Sequence, residues 1–191
     1  MSTSTEPRPL RADAQRNLER IIDSARTLFA ERGAQVQMED IAAHAGVGIG
    51  TLYRRFPTKE SLVTALVRER FQEFAVIAEE VERTTDPADA LATVMRRHAE
   101  AVEHDAAFQL AMMNLDSFHW DGIEEDKLEL GATITRIIER GQLAGAVRDD
   151  LRFEDYGTLM CSTTAAMYYI GGNRSGWRRQ QEILLAGLRP E

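Results

Sequence analysis

Along residues 16–83, apolar side chains recur three and four positions apart, and glycine and proline interrupt the pattern at intervals. Leu18, Ile21, Ile22, Ala25, Leu28 and Phe29 make one stripe, which predicts a helix from about Arg16 to Arg32 that Gly33 closes. Ile41, Ala42 and Ala45 form the short face of a second helix. Gly46 stops it, since glycine enters the left-handed C′ conformation at little cost. Leu52 and Phe56, four apart, face inward from a third short helix, which Pro57 ends. Leu62, Leu66, Val67, Phe71, Phe74, Ile77 and Val81 then hold the period from Thr58 to about Arg83. At ~1.5 Å per residue that helix is on the order of 35–40 Å long. It is too long for one small domain and reads as a rod joining the N-terminal unit to everything downstream.

Thr84–Pro87 is the clearest boundary, with Asp86 as a cap and Pro87 as the first residue of the next helix. That helix runs to about Glu103, with Leu91, Val94, Met95, His98 and Val102 inward. Further helices are predicted from about Asp105 to Phe118, from Glu125 to Leu143 (Leu128, Ile134, Ile137 and Ile138 on its face), from Phe153 to Ile170, and from Trp177 to Leu188. Phe118–Gly122, Gly145 and Gly171–Gly176 separate them. No strand-like alternation and no repeat is found. The expected class is all-α, with about nine helices.

Composition adds bounds to this outline. The chain has 191 residues, 43% apolar and 28% charged, long enough for one large or two small domains. No run of about 20 apolar residues is present, so no membrane span is expected. The first fifteen residues lack the apolar core of a secretory signal. The one cysteine, Cys161, cannot form an internal disulfide and suits a reducing cytoplasm. The net charge of −8 argues at first against a nucleic-acid partner, but the charge is unevenly spread. Residues 1–60 carry nine Lys/Arg against eight Asp/Glu, and the remainder is at −9. The acid would repel DNA at a distance and limit indiscriminate binding.

The stretch Ile41 to Lys59 holds Arg54, Arg55 and Lys59 and no Asp or Glu. Two short helices joined by a glycine-containing turn make a helix-turn-helix, whose second helix can lie in the DNA major groove. The outward residues suit that role. Gly48 and Gly50 have no side chain to hold the helix away from the duplex. Thr51 and Tyr53 offer hydroxyls to phosphate oxygens, and Arg54 or Arg55 can reach a guanine edge with two hydrogen bonds. Lys59, at the start of the rod behind a Thr58 cap, adds charge beside free backbone N–H groups. The same spacing also fits an ordinary helical hairpin with a solvated basic face.

The segment VGIGTLYRRFPTKESL, with MEDIAAHAG and LFAERGA before it, resembles the DNA-binding domain of the TetR/AcrR family of bacterial one-component regulators. The likeness covers roughly Arg16 to Leu66. It implies that Thr51, Tyr53 and Lys59 contact phosphates and that Gly48, Ile49, Gly50 and Arg54 face bases, with Arg55 keeping the surface basic. Two departures are visible. Gln37 stands where Ser or Thr usually caps the second helix, and Gly48 where Ser or Thr often caps the recognition helix. A lost cap typically costs about 1 kcal/mol. The implied organisation is an arm at 1–15, a helix-turn-helix DNA-binding domain at 16–60, and a helical effector-binding and dimerisation domain at 61–191. Residues 1–15, rich in Ser, Thr and Pro, read as a mobile terminus; Arg8 and Arg11 alternatively suit an arm in an adjacent minor groove.

In the C-terminal part, Met95, Phe108, Met112, Met113, Phe118, Trp120, Met160 and Cys161 supply soft and aromatic surface, and His98, Asn114, His119 and Thr164 a few polar groups. This is either a plain core or an apolar ligand pocket between helices; the resemblance favours the pocket. The last two helices, with Leu159, Met160, Ala165, Ala166, Met167 and Tyr169 on one and Ile183, Leu184, Leu185 and Leu188 on the other, are core or a dimer interface. The family pairs these helices. One recognition helix also reads too few base pairs, whereas a two-fold dimer reads a palindrome.

No histidine pair has i, i+4 spacing and no CxxC exists, so no metal or other cofactor is expected. Nothing places a base beside Cys161, which reads as a buried thiol, so no enzyme is expected. The expected function is a cytoplasmic, ligand-responsive transcriptional regulator. It binds double-stranded DNA at a palindromic operator as a homodimer and is released by a small, largely apolar effector. Repression is the favoured sense, although repression and activation look alike in sequence. The alternative is a helical sensor or adaptor that acts through protein contacts without specific DNA binding.

Overall fold

A computed structural model describes residues 8–113, 122–169 and 176–190. Asn114, Phe118, His119 and Trp120 lie outside the described residues. The described residues form α1 (Arg8–Arg32), a 3-10 turn (Gly33–Gln35), α2 (Met38–Ala45), α3 (Ile49–Arg55), α4 (Lys59–Thr84), α5 (Pro87–Val102), α6 (Ala106–Met113), α7 (Glu124–Leu143), α8 (Phe153–Tyr169) and α9 (Gly176–Gly187), with no strand among them. The all-α expectation holds.

One boundary differs clearly from the expectation. Helix α1 begins at Arg8, eight residues before the predicted Arg16. Pro9 falls in its first turn, where a missing N–H removes no helical hydrogen bond. Residues 10–15 contain no breaker, so helix extends through a stretch assigned above to the arm.

The turn chemistry is local. Gly46 sits at φ 62°, ψ 38° and returns its N–H to α2 carbonyls, while a Cβ there would strike the Arg20 guanidinium. The weak Gln37 cap is offset by Asp40, whose carboxylate accepts the Gln37 backbone N–H at 3.3 Å. At α4, Thr58 and Ser61 satisfy each other's backbone N–H groups, at 3.1 and 3.2 Å. Asp86 caps α5 through the Ala88 N–H, with Pro87 at its first position as expected.

Two apolar cores result. The first joins Ile21, Ile22, Ala25, Leu28 and Phe29 of α1 to Ile41, Leu52 and Phe56 of the short helices. Leu62 and Leu66 of α4 and Ala107 of α6 complete it. The second core gathers α4 from Val67 onward with α5, α6, α7, α8 and Leu185 and Leu188. The 26-residue α4 therefore belongs to both cores, changing allegiance between Leu66 and Val67. It runs parallel to α7, since Gln72 bonds Asp126 and, ten residues on, Glu82 pairs with Arg136.

Leu128, expected on the inner face of α7, is 74% exposed, and Leu130 is buried in its place. Leu130, Ile134, Ile137 and Ile138 follow i, i+4, i+7, i+8, whereas Leu128 is six residues before Ile134 and so about 120° off that face.

Candidate nucleic-acid interface and apolar cavity

Helix α3 stands on the first core through Leu52, which is fully buried, and Phe56 closes its end. What remains outward is the set named from sequence. Gly48, Ile49, Gly50, Tyr53, Arg54 and Arg55 are exposed, and Thr51 is half-buried. Ile49 and Tyr53 are large side chains left in water without a partner core. The helix starts without a side-chain cap, the Gly48 carbonyl accepting from Thr51 and Leu52.

The tyrosine and the lysine are both engaged within the protein. The Tyr53 hydroxyl donates to Glu39 Oε1 at 3.3 Å, and desolvation, then the Glu39 carboxylate, push its phenol up. Lys59 is half-buried, with its ammonium donating to the Ala34 carbonyl at 2.6 Å and lying 5.6 Å from the Phe29 ring centre. Desolvation pulls its pKa down. Lys59 thus ties the start of α4 to the 3-10 turn and stands apart from the exposed set on α3.

The second core is hollowed by a half-open cavity of about 610 Å³. Its walls are Phe71 and Phe74 of α4, Val102 of α5, Phe108 and Met112 of α6, Leu130 of α7 and the Phe153–Thr164 stretch of α8. Phe108, Met112, Met160 and Thr164, named from sequence, line it. Met95 and His98 do not, being core residues behind the wall, and Met113 is half-buried against the core. Cys161, among the soft groups named from sequence, also lines it, whereas sequence reasoning missed Phe153, Tyr156 and Gly157. With Met160, Cys161 and Thr164 these fall at i, i+3, i+4, i+7, i+8 and i+11, one face of α8 that the glycine and threonine positions disguise as non-apolar.

The wall is rigid where it is polar. The Tyr156 hydroxyl bonds His98 Nδ1, and His98 Nε2–H donates to the Phe74 carbonyl at 2.9 Å. The Phe74 ring stacks on the imidazole with centroids 4.4 Å apart. Burial, reinforced by Arg97, holds His98 neutral with a pKa of about 3, the Phe74 bond opposing only in part. Burial also pushes the Tyr156 phenol up. Thr164 spends its hydroxyl on the Met160 carbonyl. Inside the cavity the polar groups are therefore already satisfied, which suits an apolar guest.

Cys161 is exposed, correcting the expectation of a buried thiol. It lies with Lys127, Glu154 and Thr158 at the outer edge of the cavity. Desolvation pushes its pKa up against the pull of Lys127, the opposite of an activated nucleophile.

A part-buried ion pair joins the cavity wall to the rod. Arg70 of α4 meets Asp105 Oδ2 at 3.0 and 2.7 Å, and Asp105 Oδ1 caps α6 through the Phe108 N–H at 2.9 Å. Helix α6 is two-faced. Phe108 and Met112 look into the cavity, while Ala107 is in the core under the helix-turn-helix and Leu110 packs against that core.

Comparison with known proteins settles the family. The family described as bacterial regulatory proteins, tetR family, matches residues 21–66, and the SbtR-like transcriptional regulator C-terminal domain matches residues 86–190. The chain belongs to the TetR family. Among solved structures, a TetR transcription regulatory protein of Mycobacterium vanbaalenii is 30% identical, with 95% of this chain and 99% of that one aligned at a TM-score of 0.63. A TetR regulator of Streptomyces coelicolor is 26% identical over 91% and 98% of the two chains, also at 0.63. The repressor KstR2 of Mycolicibacterium smegmatis is 28% identical over 187 residues, 88% of each chain. This TetR-family chain is thus a DNA-binding regulator of transcription. No helix among its described residues is long and apolar enough to cross a membrane.

Proposed function

We propose that the protein is a homodimeric transcriptional repressor that holds a palindromic operator with α3 and lets go when a largely apolar effector enters the cavity. Gly48, Ile49, Gly50 and Arg54 face bases in the major groove. Thr51, Tyr53 and Arg55 hold phosphates, and Lys59 acts mainly by fixing the start of α4. Helices α8 and α9 pair with a second copy through a surface that includes Tyr168 and Ile183, 41% and 57% exposed. Two copies then present their recognition helices about 34–36 Å apart, one turn of the duplex.

The observation that carries this reading is the two-faced α6. A guest pressing on Phe108 and Met112 moves a helix whose Ala107 belongs to the core beneath the DNA-reading unit. The Arg70–Asp105 pair makes α4 follow. The effector shifts the balance only by its preference between the two arrangements. A coupling of about 1–3 kcal/mol changes operator affinity about 5- to 150-fold.

The test is a selection of genomic fragments by the purified protein at about 150 mM salt, where exposed charges are well screened. An enriched palindrome supports the repressor reading, and apolar metabolites are then tried for release. Smooth binding with no enriched sequence, with and without added metabolites, overturns it.

A further inference from the structure

Beside the recognition face, between α1 and α3, lies a groove of about 390 Å³. Thr51, Arg54 and Arg55 of α3 form one wall, and Asp13 and Asn17 of α1 the other, over Leu18 and Ile21. We infer that this groove seats the sugar–phosphate strand bordering the major groove that α3 enters, with Asn17 a phosphate contact and Asp13 an electrostatic brake.

Charge is the first argument. Two guanidiniums line the groove against one carboxylate, which lowers the positive balance without cancelling it. This is a local positive surface on a chain of net charge −8. Asn17 is the second. It stands inside α1, where Asn is a poor helix former, and its carboxamide bonds no other described residue. A residue that weakens its own helix and lines the groove with an unbonded carboxamide is explained by a ligand with acceptor oxygens. Continuity is the third. Thr51 and Arg54 belong to both the groove and the proposed reading face, so a duplex engaged by α3 brings a backbone strand alongside α1. Much of the hydrogen bonding in such interfaces goes to phosphates, from Asn side chains among others.

The inference rests on α3 being the DNA reader, and the experiment separates the two. Full-length protein and the variants Asn17→Ala, Asp13→Asn and Arg54→Ala are titrated onto a selected operator fragment and onto poly(dI–dC), from about 50 to about 200 mM salt. Asn17→Ala should weaken both DNAs roughly three- to tenfold, the worth of a hydrogen bond. Its salt slope should not change, because no cation is lost. Its thermal midpoint should hold or rise, since Ala is the better helix former. Asp13→Asn should tighten binding roughly two- to threefold at low salt, a gain that fades as screening grows. Unchanged affinity of Asn17→Ala, or a loss that tracks a lowered thermal midpoint, overturns the groove while leaving α3 as the reader. An Arg54→Ala variant that binds like the parent at every salt overturns the α3 assignment and the groove with it.

Discussion

Lowering the pH from about 7 to about 5 should destabilise the fold by on the order of 2 kcal/mol through a single residue, His98. The imidazole is 1% exposed and already satisfied at both nitrogens, donating from Nε2 to the Phe74 carbonyl at 2.9 Å and accepting the Tyr156 hydroxyl at Nδ1. A proton on Nδ1 would force that hydroxyl to turn away and would place a charge between aromatic rings. The folded pKa is therefore about 3, against 6.5 in the open chain. The folded value is the lower one, so the unfolded chain takes up the proton first as pH falls. Stability is complete above about pH 6.5 and declines towards pH 3. At pH 5 the chain is about 1.5 units below the unfolded value, and each unit is worth about 1.4 kcal/mol.

Ion-paired carboxylates such as Glu82, Glu103 and Glu182 are held below their ordinary values and lose their share mainly at lower pH. The control is His98→Gln, which can donate and accept at similar places but does not titrate. Urea unfolding at fixed protein concentration, at both pH values, gives the four stabilities. The parent should lose about 2 kcal/mol more than the variant between the two pH values. Equal losses would refute the claim that a buried neutral histidine pins α4, α5 and α8 together.

Tyr53→Phe should weaken binding to every duplex by a similar factor, roughly three- to tenfold, as seen by anisotropy on operator and unrelated fragments. Arg54→Ala should change which base is preferred at one position; an even loss across sequences would remove Arg54 from the base contacts. Lys59→Ala should lower the thermal midpoint by roughly 2–4 °C per kcal/mol lost, because its ammonium bonds the Ala34 carbonyl, and a larger effect on DNA affinity than on stability would reverse that assignment. Gly157→Leu should fill the cavity, since nothing lies within 4 Å of an added Cβ. Operator binding should persist and release by the effector should fail, while a Leu variant that still releases would place the effector elsewhere.

Much of this protein could be read from local sequence. A helix is set by residues three and four apart, so α1 to α9 show their periods, and Gly46, Pro57 and the Asp86–Pro87 pair mark their ends. The recognition residues are contiguous, and burying Leu52 and Phe56 turns Tyr53, Arg54 and Arg55 outward without help from distant chain. Tertiary structure alone decided what depends on which helices meet. The cavity takes its wall from residues between Phe71 and Thr164 on five helices, and no spacing rule links them. His98 and Met95 look like pocket residues along the chain, yet packing puts them behind the wall. Lys59 reads as a free cation until the Ala34 carbonyl, 25 residues away, is found beside it. Asn17 carries no mark in the sequence, because its significance lies in facing α3 across a groove. The physical reason is common to all four. Periodicity tells which face of a helix is buried, but what that face is buried against is settled by contacts between residues far apart in the chain.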